Sequence, residues 1–273
     1  MIDVDGFDVL LERVDRAAEH RETMWAVSSE HLQAHPVTHS VKRRNNEHVM
    51  VLHNPGPLPA RLTVLFGEWL YQLRAALDGL MYEVMVLDTS QDPPPDAGRL
   101  SYPLARTEDG FRNLVPRKLS EKTRRLVEST QPYHATGGYR GSALWWLHEL
   151  SRLDRHRRGH LLVWRVINLH VQSNSPAVDE TRSRVCDQFE AFIWRDQDLE
   201  LARIATLPGA LTDGDPGVHI NWEVQFDVAE WVQESVASYG AWSLDDRMAN
   251  AEYCVRKIIE VFRDQLTGNA YTG

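Results

Sequence analysis

The sequence predicts an α+β fold in which a helix bundle packs with an antiparallel β-meander from the C-terminal half of the chain. Two patterns lead to this prediction. Apolar residues recur at helical spacing in four long segments, residues 7–35, 61–87, 142–157 and 244–266. Apolar and polar residues alternate, as in half-buried strands, over residues 161–171, 184–195, 199–207 and 218–228. We therefore expect four main helices, with the strands covering one side of the bundle.

Shorter elements are expected between the long helices. Residues 38–41 and 48–53 are expected to be strands, and the turn-forming Arg44-Asn45-Asn46 lies between them. This order predicts a β-hairpin. Ser120 is a typical N-cap for a short helix that ends near residue 129, and another short helix is expected at 107–114. The segment LSYPL, residues 100–104, is expected to be a short edge strand.

The order of these elements favours a single domain over residues 1–273, because helices stand at both ends of the chain with strands between them. This domain would be helical over 1–158 and mostly β over 159–230. A C-terminal helix would follow at 241–267.

The composition is that of a globular protein. The chain has 273 residues, of which 42% are hydrophobic and 25% charged. No run of about 18 apolar residues is present, so no membrane span is expected. The N-terminus is acidic and lacks the basic start and apolar centre of a signal peptide, which predicts a cytoplasmic location. Cys186 and Cys254 lack CxxC spacing, which favours two reduced thiols over a zinc ribbon or a disulfide.

The net charge of −9 hides an uneven distribution of charge along the chain. Residues 112–165 contain 12 basic and 4 acidic residues, whereas residues 171–273 contain 8 basic and 18 acidic residues. A basic region in an acidic protein is typical of an anion-binding or nucleic-acid-binding surface. It is equally compatible with a region that pairs with the acidic C-terminal part of the same chain.

The strongest concentration of potentially catalytic side chains lies at the end of the tryptophan-rich segment 142–165. The candidates are Asp154, Arg155, His156 and His160. The pattern Arg155-His156-x-x-x-His160 resembles the active-site signature of the HEPN superfamily of helical ribonucleases. The resemblance implies a metal-independent endoribonuclease of toxin or phage-defence type, with no cofactor and with RNA as partner. It also implies a homodimer in which Arg and His converge on a phosphodiester. Arg155 would bind phosphate, and His156 or His160 would transfer protons.

A second resemblance covers a longer part of the chain. LRAALDGL (73–80), SYPL (101–104), QPY (131–133) and LWWLHELSRLDRHR (144–157) follow the order seen in a widespread, uncharacterised bacterial protein family. This pattern singles out Arg74, Asp78, Asp154, His156 and Arg157, and it predicts a site at 154–160 that faces Arg74 and Asp78. The residues expected to bind substrate are Arg74, Asp78, Arg140, Arg157 and Arg158.

Two further interpretations stay open. In the first, the Arg, Asp and His residues lock helices together in a non-enzymatic binding or interaction protein. In the second, the protein is a metal-dependent hydrolase or oxygenase, because His156 and His160, like His31 and His35, have the four-residue spacing of helical metal ligands. The glycine-rich loop 136–142 contains Arg140 and precedes a predicted helix, an arrangement that could hold an anion. No G-x-S-x-G, Walker or G-x-G-x-x-G motif is present.

Overall fold

A computed structural model of the chain describes residues 6–156, 159–173, 176–187, 191–194, 197–209, 218–232 and 242–268. The chain divides into two compact units, each built from separate segments. Unit 1 comprises Met1–Met24, Thr63–His160 and Glu234–Gly273, and unit 2 comprises Trp25–Leu62 and Leu161–Gln233. The α+β class is confirmed, and the paired strands are antiparallel. The expectation of a single domain stays a prediction.

The predicted helical segments form helices whose ends lie within a few residues of the predicted ones. They are α1 (Gly6–Ala34), α2 (Ala60–Thr89), α3 (Glu108–Leu114), α4 (Glu121–Ser129), α5 (Ala143–His156) and α6 (Leu244–Thr267). Local side-chain bonds define two of the starts. Ser120 accepts a hydrogen bond from the Thr123 backbone N–H, and Ser243 and Asp246 form a capping box at the start of α6.

The core of unit 1 includes a polar contact that links α1, α2 and α6. The fully buried Trp69 indole on α2 donates a hydrogen bond of 2.8 Å to Glu252 on α6. Arg21 on α1 donates to both carboxylate oxygens of Glu252, at 3.0 and 3.2 Å, and to Asp245 at 2.6 Å. The hydrogen bonds from Arg21 and Trp69 offset part of the cost of burying this carboxylate, and burial still raises the pKa of Glu252.

The strands of unit 2 form two sheets rather than one meander. They are β1 (Thr38–Arg44), β2 (Glu47–His53), β3 (Leu162–Ser173), β4 (Val178–Val185), β5 (Phe192–Ile193), β6 (Leu199–Thr206) and β7 (Val218–Val228). One sheet has the order β1-β2-β6-β4 and the other has the order β5-β3-β7. The predicted meander is therefore wrong. Strand β2 of the β1–β2 hairpin pairs with β6. Strand β3 pairs directly with β7, although β4, β5 and β6 lie between them in the sequence. Alternation reveals that a segment is extended, but it does not identify the strand that will pair with it.

Two local strand predictions are also wrong. The segment 184–195 is not one strand, because β4 ends at Val185 and only the two residues of β5 follow as strand; residues 188–190 lie outside the described residues. Residues 100–104 are not a strand. Side chains of unit 1 satisfy the backbone groups there in place of a neighbouring strand, as described below.

Unit 2 also contains a buried ion pair. Arg165 on β3 donates a hydrogen bond of 3.0 Å to Asp227 on β7, and the side chains of both residues are almost fully excluded from solvent. The two positions lie on adjacent strands, since Arg165 is opposite Gln225 and Val163 is opposite Asp227. The pair therefore fixes the register of the β3–β7 ladder as well as satisfying two charges.

Candidate functional site

The predicted catalytic run does not lie on one continuous helix. Helix α5 ends at His156, and Gly159 has a positive φ of 91°. A side chain at Gly159 would also collide with Thr63 on α2, so the turn requires glycine on both conformational and steric grounds. Arg155 and His156 are exposed on the last turn of the helix, whereas Arg157 and Arg158 lie outside the described residues. The two ends of the ribonuclease-like motif are thus in different local environments.

His160 lies in the core of unit 1. The residue is only 5% exposed, and its Nε2 atom is 2.9 Å from the Leu150 carbonyl oxygen. Because a carbonyl only accepts, Nε2 carries the hydrogen in this contact. The ring meets Phe66 edge-on at 5.2 Å between centroids. Through these contacts His160 anchors the end of α5. It lies inside the unit, whereas Arg155 and His156 lie at the surface.

Asp154 faces helix α2 at a point where the two helices approach closely. A Cβ atom placed on Gly67 would lie 3.0 Å from Asp154 Oδ2, which explains a glycine in the middle of a 30-residue helix. The carboxylate lines a groove of about 640 Å³ together with His20 and Glu68. His20 Nδ1 lies 3.4 Å from Glu68 Oε2, and burial lowers the pKa of His20. No sequence motif had pointed to His20 or Glu68.

Arg74 and Asp78 contact each other on successive turns of α2. Arg74 donates from Nη2 and Nε to the two oxygens of Asp78, at 2.7 and 3.2 Å. Arg74 also donates to the Tyr102 carbonyl at 2.9 Å, and the Tyr102 backbone N–H donates to Asp78 at the same distance. Burial lowers the pKa of Arg74, and Asp78 opposes that shift. The pair therefore holds the backbone of residue 102, rather than joining Asp78 to His156, and Arg157 lies outside the described residues.

Gln131 of the QPY motif holds the same extended segment from its other side. Its Oε1 accepts a hydrogen bond of 3.0 Å from the Ala105 N–H, and its Nε2 donates to the Pro103 carbonyl at 2.8 Å. Nε2 also lies 3.0 Å from the Val127 carbonyl, and Gln131 is 2% exposed. Three parts of the bacterial family pattern, LRxALDxL, YPL and QPY, thus meet in one buried hydrogen-bond network. A structural role accounts for their presence in this chain.

A basic and aromatic surface lies on the outer side of α5 and the segments beside it. The Arg106 guanidinium lies 4.4 Å from the ring centroid of Trp145 and 5.4 Å from that of Tyr139. Arg140 also contacts Tyr139, donating from Nε to the phenol oxygen at 3.3 Å. We call this surface the arginine face and define it by four exposed arginines and one half-buried histidine, namely Arg106, Arg140, Arg152, Arg155 and His148.

The electrostatics of the arginine face favour an anion. Burial, followed by the nearby Arg74 charge, lowers the pKa of His148 to about 4, so its imidazole is neutral at pH 7. Arg152 is paired with Glu149 at 2.6 Å. Arg106 and Arg155 form no ion pair within the part of the chain that the structure describes, and both are exposed. Their guanidinium donors are available to a phosphate or carboxylate.

Comparison with known proteins adds no relationship. A scan against protein-family models gives no match, and neither curated proteins nor solved structures give one. Both resemblances noted in the sequence therefore stay predictions.

The sequence identified only part of the arginine face. Arg140 and Arg155 were among the predicted residues, whereas Arg106, His148 and Arg152 were missed. The helical spacing of Trp145, His148, Arg152 and Arg155 on α5 was a usable signal for one side of the surface. Arg106 gave no such signal, because only the fold brings it onto the Trp145 ring.

The structure bears on the metal-dependent interpretation through its ligand groups. Among the described residues, no group of three or more His, Cys, Asp and Glu side chains is arranged to hold a metal ion. His156 is exposed and His160 is buried, so these two residues do not share one helix face. The His31 and His35 rings stack at 4.6 Å between centroids, which is a ring-packing contact.

No described helix is both long and apolar enough to cross a bilayer.

Proposed function

We propose that this protein binds the phosphate backbone of RNA on the arginine face. The observation that carries the proposal is the position of Arg106, an exposed guanidinium held over Trp145 and Tyr139. Among the described residues it forms no ion pair, and its charge only helps to lower the pKa of Glu149, whose carboxylate is bonded to Arg152. Contact with the two rings restricts the guanidinium, which lowers the entropy lost when a phosphate binds. Arg155 supplies a second exposed guanidinium on the same helix as Trp145.

The catalytic form of this proposal is the metal-independent endoribonuclease that the sequence motif suggests. Arg155 would stabilise charge on the phosphate, and the exposed His156 beside it would transfer protons. The ribose 2′-hydroxyl would attack phosphorus as its proton leaves, and the bond to the 5′-oxygen would break. The products would be a 2′,3′-cyclic phosphate and a 5′-hydroxyl. His160 takes no part in this form, because its ring is enclosed in the core.

The cytoplasmic location, the homodimer and the toxin or phage-defence role belong to the same proposal. They rest on the sequence patterns described above. The non-enzymatic interpretation is the binding form of the proposal, in which RNA or another phosphate-bearing chain is held without being cleaved. It is supported by the structural role of the network around Arg74, Asp78 and Gln131.

Binding is tested by fluorescence anisotropy with a labelled single-stranded RNA of mixed sequence in the presence of EDTA. We expect Arg106→Ala and Arg155→Ala each to weaken binding by about 5- to 10-fold and to reduce the salt dependence by about one phosphate contact. Arg117→Ala is the matched control, because Arg117 is also exposed in unit 1 but is not on this face. An equal loss in the control, or no binding by the wild-type protein, would refute the proposal.

Cleavage is tested in the same samples by gel electrophoresis. The catalytic form predicts 2′,3′-cyclic phosphate products that persist in EDTA and disappear in His156→Ala. Binding without cleavage would support the non-enzymatic form. Cleavage that is undiminished in His156→Ala would rule out the assignment of His156.

A further inference from the structure

Three polar residues of unit 2 form a linear hydrogen-bonded chain that no sequence motif had indicated. His53 Nε2 lies 2.9 Å from Ser40 Oγ, and His53 Nδ1 lies 2.9 Å from Asp198 Oδ2. Asp198 is 145 positions from His53 in the sequence, whereas Ser40 is 13 positions from it. Each distance is that of an ordinary hydrogen bond.

Strand pairing places the three side chains together. Ser40 is opposite Val51 and Thr38 is opposite His53 in the β1–β2 ladder, so Ser40 and His53 are diagonal neighbours on one face of the hairpin. Asp198 immediately precedes β6, whose first residue Leu199 is opposite Leu52 on β2. The arrangement is thus fixed by two ladders rather than by flexible side chains alone.

The partners determine which nitrogen of His53 carries the proton. Asp198 as a carboxylate only accepts hydrogen bonds, so Nδ1–H of His53 is the donor. The other oxygen of Asp198 accepts from the Asn54 backbone N–H at 3.1 Å. The bond from His53 and then that from Asn54 lower the pKa of Asp198, which keeps the carboxylate ionised at neutral pH. In the neutral ring with Nδ1 protonated, Nε2 presents its lone pair to the Ser40 hydroxyl, the arrangement that removes a proton from serine.

We propose that Ser40, His53 and Asp198 form a Ser–His–Asp triad that hydrolyses small carboxylic esters. Ser40 is the nucleophile, His53 is the general base and acid, and Asp198 orients the imidazole. The activity is distinct from the RNA function proposed for unit 1 and does not depend on it. A short, polar acyl group is the fitting substrate, because the neighbouring Thr38 and Lys42 on the same side of β1 are exposed and polar.

The backbone of β1 offers donors for the developing oxyanion. Within the described chain, β1 lies at the edge of its sheet. In a regular antiparallel edge strand, alternate residues direct their N–H groups away from the sheet, so either Ser40 or the adjacent Val41 does so. Such an N–H beside the nucleophile can bind the carbonyl oxygen as it gains negative charge.

The reaction is balanced with water as the only co-substrate. The Ser40 Oγ–H proton passes to His53 Nε2 while Oγ bonds to the carbonyl carbon of the ester. The bond to the leaving alcohol breaks, and the alcohol takes the proton from His53, which leaves an acyl-Ser40 ester. Water then gives a proton to His53 and attacks the acyl carbon. Release of the carboxylic acid returns the proton to Ser40.

The experiment uses the full chain and a fluorophosphonate probe, which forms a covalent adduct with activated serines. We expect a single adduct by intact mass, mapped to Ser40 by peptide analysis and absent from Ser40→Ala. Asp198→Asn should slow labelling by about 100-fold, because the imidazole loses its oriented acceptor. Thr181→Ala is the matched control, since it removes an exposed hydroxyl of unit 2 that bonds to the Asp179 carboxylate and should label at the wild-type rate.

Hydrolysis of 4-nitrophenyl acetate provides the second readout and should follow the same order of variants. Circular dichroism establishes that each variant is folded. A triad that only tied the hairpin to β6 would give no Ser40 adduct. Absence of the Ser40 adduct in the wild-type protein, or labelling of Asp198→Asn at the wild-type rate, would overturn the proposal.

Discussion

Replacement of Gln131 by alanine should destabilise unit 1 by an amount that follows from its hydrogen bonds. The change removes the acceptor for the Ala105 N–H and the donor to the Pro103 carbonyl. The Val127 carbonyl keeps its bond from the Thr130 hydroxyl at 2.7 Å. Two buried backbone groups therefore lose their side-chain partner. An unsatisfied buried group costs about 1–3 kcal/mol, so we expect the free energy of unfolding to fall by about 2–6 kcal/mol.

Urea denaturation followed by circular dichroism measures this loss, and hydrogen exchange measures its location. The Ala105 amide should exchange faster in Gln131→Ala, because its acceptor is gone. Gln91→Ala, at an exposed loop position, is the control and should change the free energy of unfolding by less than about 0.5 kcal/mol. A loss below about 1 kcal/mol in Gln131→Ala, with unchanged protection of Ala105, would show that this network does not hold the segment.

Two further perturbations test the geometry around α5. In an Asp154→Ala background, Gly67→Ala should stabilise the protein by about 1 kcal/mol through helix propensity. With Asp154 present this gain should vanish, because the new Cβ would lie 3.0 Å from Asp154 Oδ2. Equal effects of Gly67→Ala in the two backgrounds of a double-mutant cycle would contradict the close approach. The unfolded chain protonates His148 near pH 6.5 but the folded protein only at about 4, so the free energy of unfolding should fall by about 3 kcal/mol as the pH drops through this range. His148→Gln should lose that part of the pH dependence, and an NMR titration midpoint near 6.5 in the folded protein would disprove the cause.

The helices could be predicted because their signals are local. Apolar spacing along α2 and the serine caps of α4 and α6 depend on residues within a few positions of one another. The segment around Tyr102 could not be predicted as irregular. Its backbone groups are satisfied by Asp78 and Gln131, which lie about 25 residues away on either side. A prediction from residues 100–104 alone contains no information about those partners.

The fold places the residues of the predicted site in different environments. The order of residues placed Asp154, Arg155, His156 and His160 in one short run, but a helix end and the turn at Gly159 direct them differently. His160 enters the core, Asp154 faces α2, and the exposed residues Arg155 and His156 remain available to a ligand. Burial cannot be inferred from residue type for histidine, which is common both in cores and at surfaces.

The sequence by itself determined the α+β class, the positions of the long helices and the basic character of residues 112–165. Each of these depends on composition or on short-range periodicity. Only the tertiary structure decided that β2 pairs with β6, that Arg106 lies over Trp145, and that Ser40, His53 and Asp198 are hydrogen-bonded. Strand pairing and side-chain contact join residues that are distant along the chain. The balance of burial and hydrogen bonding over a whole unit selects these contacts, and no single stretch of sequence contains it.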